Sequence, residues 1–264
     1  MIKEEKIIQH IVCWLKRYIK KSQSNGFIIG ISGGIDSSVT SYLVALTKLD
    51  TIILEMPISE KEDSLLSKKH AKFLTDKFDN VHYLKKDLST LFISFCHTMN
   101  IKNKTKENTL LALANVKSRL RMLMLYYYAN IKNYLVVGTG NKIEDFGVGF
   151  FTKYGDGGVD LLPIADLTKS DIRLIAKKLN IINEIQEAKP TDGLWEDQRS
   201  DEEQLGATYE ELEWAMKIIK KKNYNFCTTE NKKILKIYQT LHRKNNHKLV
   251  PIPICKIPKI LKWE

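Results

Sequence analysis

Apolar positions along the chain follow two periods. Between residues 3 and 21, Ile7, Ile8, Ile11, Val12, Leu15 and Ile19 fall at helical spacing, which predicts an amphipathic helix ahead of the first strand. Its apolar face suits a core or a sister subunit. Short apolar runs then read as strands: FIIGI (27–31), TIILEM (51–56), VHYL (81–84) and YLVVG (134–138). Helical patterns separate them at about 37–47, 64–77, 87–98 and 107–130, and another follows at about 169–179. This alternation predicts an α/β fold, a parallel sheet flanked by helices on both faces. Helices near 208–222 and 229–243 and a tail punctuated by Pro251, Pro253 and Pro258 close the chain. With no internal repeat and no linker, residues 1–264 read as a single domain.

Two stretches break the alternation. Residues 139–163 are rich in Gly, Asp, Phe and Thr, and residues 186–207 are polar, with Pro190, Gly193 and Gly206. Long irregular segments inside a compact domain are usually functional or mobile.

Composition narrows the picture. No apolar run approaches the roughly 20 residues of a membrane span. Charges interrupt every apolar stretch of the N-terminus, unlike a signal peptide, so a cytoplasmic location is expected and no membrane partner. The four cysteines show no C-x-x-C pairing and are given no chemistry. A net charge of +11 attracts polyanions, nucleotides as much as nucleic acid. The basic residues are spread out and do not interleave with aromatics, so no nucleic-acid partner is expected.

The strongest local signal is Gly30-Ile31-Ser32-Gly33-Gly34-Ile35-Asp36-Ser37-Ser38, between a predicted strand and a predicted helix. Adjacent glycines let the backbone turn sharply and approach an anion. The helix start directs free N–H groups and the positive dipole end at the loop. Asp36 would repel a phosphate, so its expected role is to hold a divalent cation that bridges phosphates. The string has neither the Gly-Lys-Ser/Thr of a Walker loop nor the G-x-G-x-x-G of dinucleotide folds. It resembles the PP-loop of the ATP pyrophosphatases, which cleave ATP between its α and β phosphates.

Further strings sharpen that resemblance. They are Asn115–Met122, Val137–Glu144, Gly149-Phe150-Phe151-Thr152-Lys153-Tyr154-Gly155-Asp156-Gly157-Gly158, Asp160–Pro163, Leu167-Thr168-Lys169, Lys189–Trp195 and Asp201–Gly206. Together they resemble the NAD synthetase family over about residues 5 to 250. The resemblance implies a PP-loop adenine nucleotide α-hydrolase-like fold, a homodimer with substrate bound across the interface, and Mg²⁺. It implies the reaction deamido-NAD + ATP + ammonia → NAD + AMP + pyrophosphate.

By the same resemblance, Gly30, Ile31, Ser32, Gly33, Gly34, Ile35, Asp36, Ser37, Thr139, Lys169 and Thr191 form the ATP site. Asp36, Lys169 and Thr191 carry the catalytic roles, and Asp36 and Glu144 share the metal. Arg119, Lys153, Asp160, His247 and Lys248 match positions that contact deamido-NAD. Phe150 and Phe151 are candidates to stack on the nicotinate ring, and Asp156 to touch the same substrate. Segment 190–206 resembles a loop that closes over the site. Asp201 and Glu202 within it are candidates to bind or deprotonate the incoming ammonium. Residues 56–64 are expected on the adenine side.

The residue types suit that chemistry. A carboxylate must attack the α phosphate, so two anions meet and cations must offset their charge. Lys169 offers a compact charge for the phosphates. The substrate supplies the nucleophile, so positioning carries much of the rate. One departure is visible: many relatives follow Gly-Thr with Asp-His-Ala-Ala-Glu, whereas here Gly140-Asn141-Lys142-Ile143-Glu144 follows. One extra residue then separates Glu144 from Phe150. This sequence is expected to lack the glutamine-hydrolysing domain of larger relatives, so free ammonia is the expected donor, unless a partner protein supplies it. A tRNA-modifying PP-loop enzyme and a non-catalytic nucleotide sensor are the competing readings.

Overall fold

In a computed structural model, the structure describes residues 3–58, 65–101, 106–191, 193–194, 199–222 and 228–263. Four parallel strands form the sheet: β1 (Gly26–Gly30), β2 (Asp50–Glu55), β3 (Val81–Lys85) and β4 (Tyr134–Val137). Their order is β3-β2-β1-β4. A parallel bridge between Val137 and Leu161 extends the sheet by one residue beyond β4. The chain first winds outward from β1 to β3, then crosses back to place β4 on the other side of β1. In an open parallel sheet, that reversal opens a crevice at the C-terminal strand ends.

Helices cover both faces, as the alternation predicts. On one face lie α1 (Lys3–Ser22), α2 (Ile35–Ala45), α3 (Leu65–Lys77), α6 (Lys169–Lys178) and α7 (Asn183–Glu187). They bury Leu15, Leu43, Leu74, Ile172 and Ile185 against Phe27, Ile29 and Ile53. On the other face, α4 (Ser89–Thr98) and α5 (Glu107–Lys132) cover Ile28, Leu54 and Val136. The alternation of Ile28 and Ile29 between the two faces is the period of a strand buried on both sides.

The apolar face of α1 is used within the subunit, because Ile11, Leu15 and Ile19 are buried. A third cluster surrounds α9 (Tyr209–Lys221) and α10 (Thr229–Leu249), where Tyr209, Leu212, Leu235 and Tyr238 meet Ile143 and Val148. This helical appendage therefore packs directly on the segment that follows β4. Helix α10 runs six residues beyond the 243 expected from its pattern, and those residues lie against the site.

Three local features escape the periodicity. A π-helix spans Lys142–Val148, and two five-residue helices form at α7 and at α8 (Asp201–Leu205). Of the sequence expectations, part of the adenine-side loop (59–64), Cys227, and Asp192 and 195–198 of the closing segment lie outside the described residues. Cys13, Cys96 and Cys255 are free thiols. Among the described residues no helix is long and apolar enough to cross a membrane.

Candidate active site

The phosphate loop leaves β1 and enters α2 with Gly34 as N-cap and no side chain capping the helix. The first N–H groups of α2 thus keep their capacity for an anion. The loop is held in shape by its own hydroxyls. Ser37 Oγ donates to Gly34 O at 3.0 Å, and Gly34 N donates to Ser32 Oγ at 3.2 Å. Gly33 has a φ of 82°, and a Cβ there would stand 2.8 Å from Ser67 N, so both conformation and space require glycine. The helix begins at Ile35, two residues before the start read from its pattern.

From the neighbouring strand end, β4 runs through Gly138 and Thr139 into Asn141, the N-cap of the π-helix. Asn141 Oδ1 accepts from Ile143 N and Glu144 N, both at 3.0 Å. Its Nδ2 reaches Asp36 Oδ2 at 3.3 Å. The wider π ring adds a residue without breaking the turn. Gly149 N and Phe150 N both donate to Glu144 O, so the extra residue is absorbed while the FFTKYGDGG string stays tied to Glu144.

The third strut is α6. Its capping box, Thr168 with Asp171, sets Lys169 as the first helical residue. Lys169 Nζ lies 2.7 Å from Asp36 Oδ2 and 3.0 Å from Glu144 Oε1, with the lysine side chain only 3% exposed. Phosphate loop, β4 exit and α6 therefore converge on one buried ammonium at the crevice. From α9, the Tyr209 hydroxyl donates to Glu144, and its ring lies 4.6 Å from Lys169 Nζ.

Electrostatics follow from that packing. Burial disfavours the lysine's charge, but the two carboxylates outweigh it and hold Lys169 above its ordinary pKa. Burial likewise pushes Glu144 up, but Lys169, the Tyr209 hydroxyl and Asn141 together leave it below the usual carboxylate range. Asp36 stays raised, because burial and the adjacent Glu144 charge exceed the help from Lys169 and Asn141. Asp36 Oδ1 is buried without a hydrogen bond.

The dinucleotide-side candidates form a second group around the 149–160 loop. Lys248 Nζ donates to Gly149 O at 2.9 Å and Phe151 O at 2.7 Å. Lys153 Nζ reaches His247 O at 2.8 Å, while the exposed Arg119 donates to Lys153 O. Asp156 Oδ1 accepts from Ser118 Oγ at 2.6 Å and Thr152 N at 3.0 Å, which pins the loop to α5. Asp160 bridges Val136 N and the Tyr126 hydroxyl, a tie between β4 and α5. Phe150 packs on the α9–α10 cluster, and Lys248 stands over the Phe151 ring. Thr191 is exposed, with its hydroxyl directed to Arg199 O at 3.3 Å. Asp201 is buried, with Oδ2 3.2 Å from the Tyr209 hydroxyl, and Glu202 Oε1 accepts Tyr209 N.

Sequence reasoning missed Asn141 and Tyr209. Asn141 had a local signal, an Asx N-cap before a short helix. Tyr209 had none, because it comes from a helix 65 positions away from Glu144.

Comparisons with known proteins point to one family. The pattern of the NAD synthase family matches residues 7–251. An NH(3)-dependent NAD(+) synthetase of Archaeoglobus fulgidus is 34% identical over 262 residues, covering 97% of this chain and 99% of that protein. One of Methanocaldococcus jannaschii is 38% identical over 219 residues, 82% of each chain. Among solved structures, an NMN synthetase from Francisella tularensis superposes with a TM-score of 0.82 at 28% identity, over 98% of this chain and 100% of that one. An NH3-dependent NAD synthetase from Campylobacter jejuni, in complex with nitrate, gives 0.76 at 25%, over 97% and 100%. With its phosphate loop, lysine and paired carboxylates in one crevice, and with matches over nearly its whole length, the chain belongs to the NAD synthase family.

Proposed function

We propose that this protein amidates deamido-NAD with ammonia at the expense of ATP, releasing NAD, AMP and pyrophosphate. The observation that carries the reading is the buried Lys169 ammonium between Asp36 of the phosphate loop and Glu144 of the β4 exit. The α2 N-terminus and the Gly30–Ser37 backbone cradle the ATP phosphates, and Lys169 offsets their charge as the substrate carboxylate approaches. The carboxylate attacks the α phosphate; pyrophosphate leaves and an acyl adenylate forms. Ammonia then attacks the acyl carbon, and AMP leaves. Thr139 and Thr191 contribute hydroxyls on the ATP side. Arg119, Phe150, Lys153, Asp156, Asp160, His247 and Lys248 bind and orient the pyridine substrate. Segment 190–206 shields the adenylate from water.

Asp36 and Glu144 fit a Mg²⁺ ion. Asp36 Oδ1 is free of partners, and both carboxylates already face a single cation. Among the described residues no group of three or more such ligands gathers, which leaves the remaining positions to phosphate oxygens and water, as Mg²⁺ prefers. When bound, the ion adds neutralisation of phosphate charge. A single-domain, ammonia-fed, cytoplasmic homodimer completes the reading. An exposed apolar stripe on α5, Leu123, Tyr127 and Ile131, supports the dimer.

The test is incubation with Mg²⁺-ATP, ammonium and deamido-NAD. NAD formed with equal AMP and pyrophosphate, and lost in Asp36→Asn, is the expected result. The likeness to an NMN synthetase makes the mononucleotide acid the informative second substrate. If only that acid is amidated, the chemistry stands and the dinucleotide assignment falls. If pyrophosphate is released with neither, the amidation reading falls.

A further inference from the structure

Helix α10 turns a row of polar side chains towards the wall of the site, and no step above uses the first two of them. His242 Nδ1 lies 2.6 Å from Gly147 O, and Asn245 Nδ2 donates to Val148 O at 2.8 Å. Lys248 Nζ completes the row on Gly149 O and Phe151 O. A carbonyl only accepts, so Nδ1 of His242 carries the proton. The three side chains stand three residues apart, on successive turns of α10, and meet three consecutive carbonyls. Tyr238 backs the His242 ring, stacked on it at 6.0 Å with the planes 9° apart.

Those carbonyls close the π-helix Lys142–Val148. The last carbonyls of a helix have no partner within it and must find one elsewhere. Turns of the π type are rare and short, and this one is finished by donors from a distant helix. The amides that follow, Gly149 N and Phe150 N, both return to Glu144 O. The two elements also touch closely: a Cβ on Gly149 would stand 2.5 Å from that of Asn245. One braced turn therefore joins Glu144, bound through its carboxylate to Lys169, to the loop that carries Phe150, Lys153 and Asp156.

We propose that His242 and Asn245 are positioning residues for the reaction. They hold the C-terminal half of the π-helix, and through it keep the 150–158 loop in place against the Lys169–Asp36–Glu144 cluster. They act through the backbone rather than by touching a substrate. Because two substrates must meet between that loop and that cluster, a small misplacement of one wall is felt in the rate. The inference deepens the amidation reading and rests on it for its kinetic arm only.

The experiment compares four variants of the full-length protein: His242→Ala, His242→Asn, Asn245→Ala and Ile237→Ala. The amide of the Asn variant places a donor where Nδ1 stands. Ile237 packs in the apolar α9–α10 cluster, so its truncation weakens α10 without removing a carbonyl's donor. His242→Ala should lower kcat/KM for deamido-NAD about tenfold, with KM for ATP within about threefold. His242→Asn should recover most of that loss. Ile237→Ala should lower the melting temperature and leave both constants near wild type, whereas a merely structural role would make it behave as His242→Ala does. A second readout needs no turnover: hydrogen exchange at amides 150–158 of the free protein. Exchange there should quicken in His242→Ala and Asn245→Ala and stay at the wild-type rate in His242→Asn and Ile237→Ala. Unchanged exchange or full kcat/KM in His242→Ala, no recovery in His242→Asn, or an equal kinetic loss in Ile237→Ala would each overturn the proposal. If His242→Ala fails to fold, Asn245→Ala decides alone: wild-type exchange and kcat/KM there sink it. If the wild type forms no amide product yet the exchange pattern is as stated, the amidation reading fails and the bracing of the loop by α10 stands.

Discussion

Lys169 illustrates how a single residue fixes this site. Its side chain is 3% exposed, and its charge is what makes two buried carboxylates tolerable. Removing one partner of such a group costs about 3–5 kcal/mol, because the remaining charges stay buried. Lys169→Met should therefore lose both stability and at least about a hundredfold in kcat, the usual scale for an electrostatic contact to developing charge. Thermal melts and pyrophosphate release check the two losses separately; near-normal turnover would exclude the role given to the lysine.

A second residue-scale case is His70, fully buried between α2 and α3 with Nε2 2.8 Å from Ser41 Oγ. Burial lowers its pKa from 6.5 to about 4. The unfolded chain then binds the extra proton between those values, so the contribution is complete above about pH 6.5 and is lost as pH falls towards 4. Between pH 7.5 and 5 that amounts to about 2 kcal/mol. Urea unfolding at both pH values should show this loss, and His70→Gln should lose correspondingly less on acidification. An unchanged difference in the variant would contradict it. Gly140 is a third case: a Cβ there would stand 1.8 Å from Asp145 Oδ2. Gly140→Ala should cost about 1–3 kcal/mol by overpacking, and adding Asp145→Ala should recover most of it. Denaturant midpoints of the wild type and the two variants measure this.

At the scale of elements, the sequence was most legible where a period persists. The four strands and the helices α1, α5 and α6 stand within two residues of their expected bounds, because a buried face repeats over several turns. Short elements escape this logic: α7 and α8 have five residues each, α8 starting from the Ser200–Glu203 capping box and α7, without a side-chain cap, held by the burial of Ile185. The π-helix is a different failure. The sequence shows one extra residue before Phe150, but only the structure shows it absorbed in a wider turn that keeps Glu144 aimed at Lys169. Of the site, the phosphate loop, Lys169 and Glu144 were readable as strings. The contribution of α9 was not, since chemistry delivered from a distant helix leaves no local pattern. Yet α9 depends on an ordinary local device, the Thr208–Glu211 box. Thr208→Ala should cost about 1 kcal/mol in equilibrium unfolding, and Thr208→Ser almost nothing. Equal losses in both would mean the cap is not what starts this helix.

At the scale of the whole molecule, the question is what covers the side of α5 that faces away from the sheet. Leu123, Tyr127 and Ile131 are 60%, 57% and 61% exposed and stand four residues apart, so they form one stripe. Leu91 and Ile93 on α4 and Met99 just after it are also exposed. Single exposed apolar residues need no explanation, but a contiguous stripe of this kind marks an interaction surface. The N-terminal helix, the other interface expected from its pattern, has already buried its apolar face in the subunit core. A net charge of +11 disfavours association of the basic surfaces, so the proposed dimer is assigned to an apolar patch such as this one. Sedimentation at micromolar concentration should give a dimer, and Leu123→Glu with Ile131→Glu should give a folded monomer. Because α5 also carries Ser118 and Arg119 beside the 149–160 loop, that monomer should bind the pyridine substrate weakly while keeping ATP binding at the phosphate loop. A monomeric wild type would remove the shared site; a dimer unaffected by both substitutions would move the interface off α5.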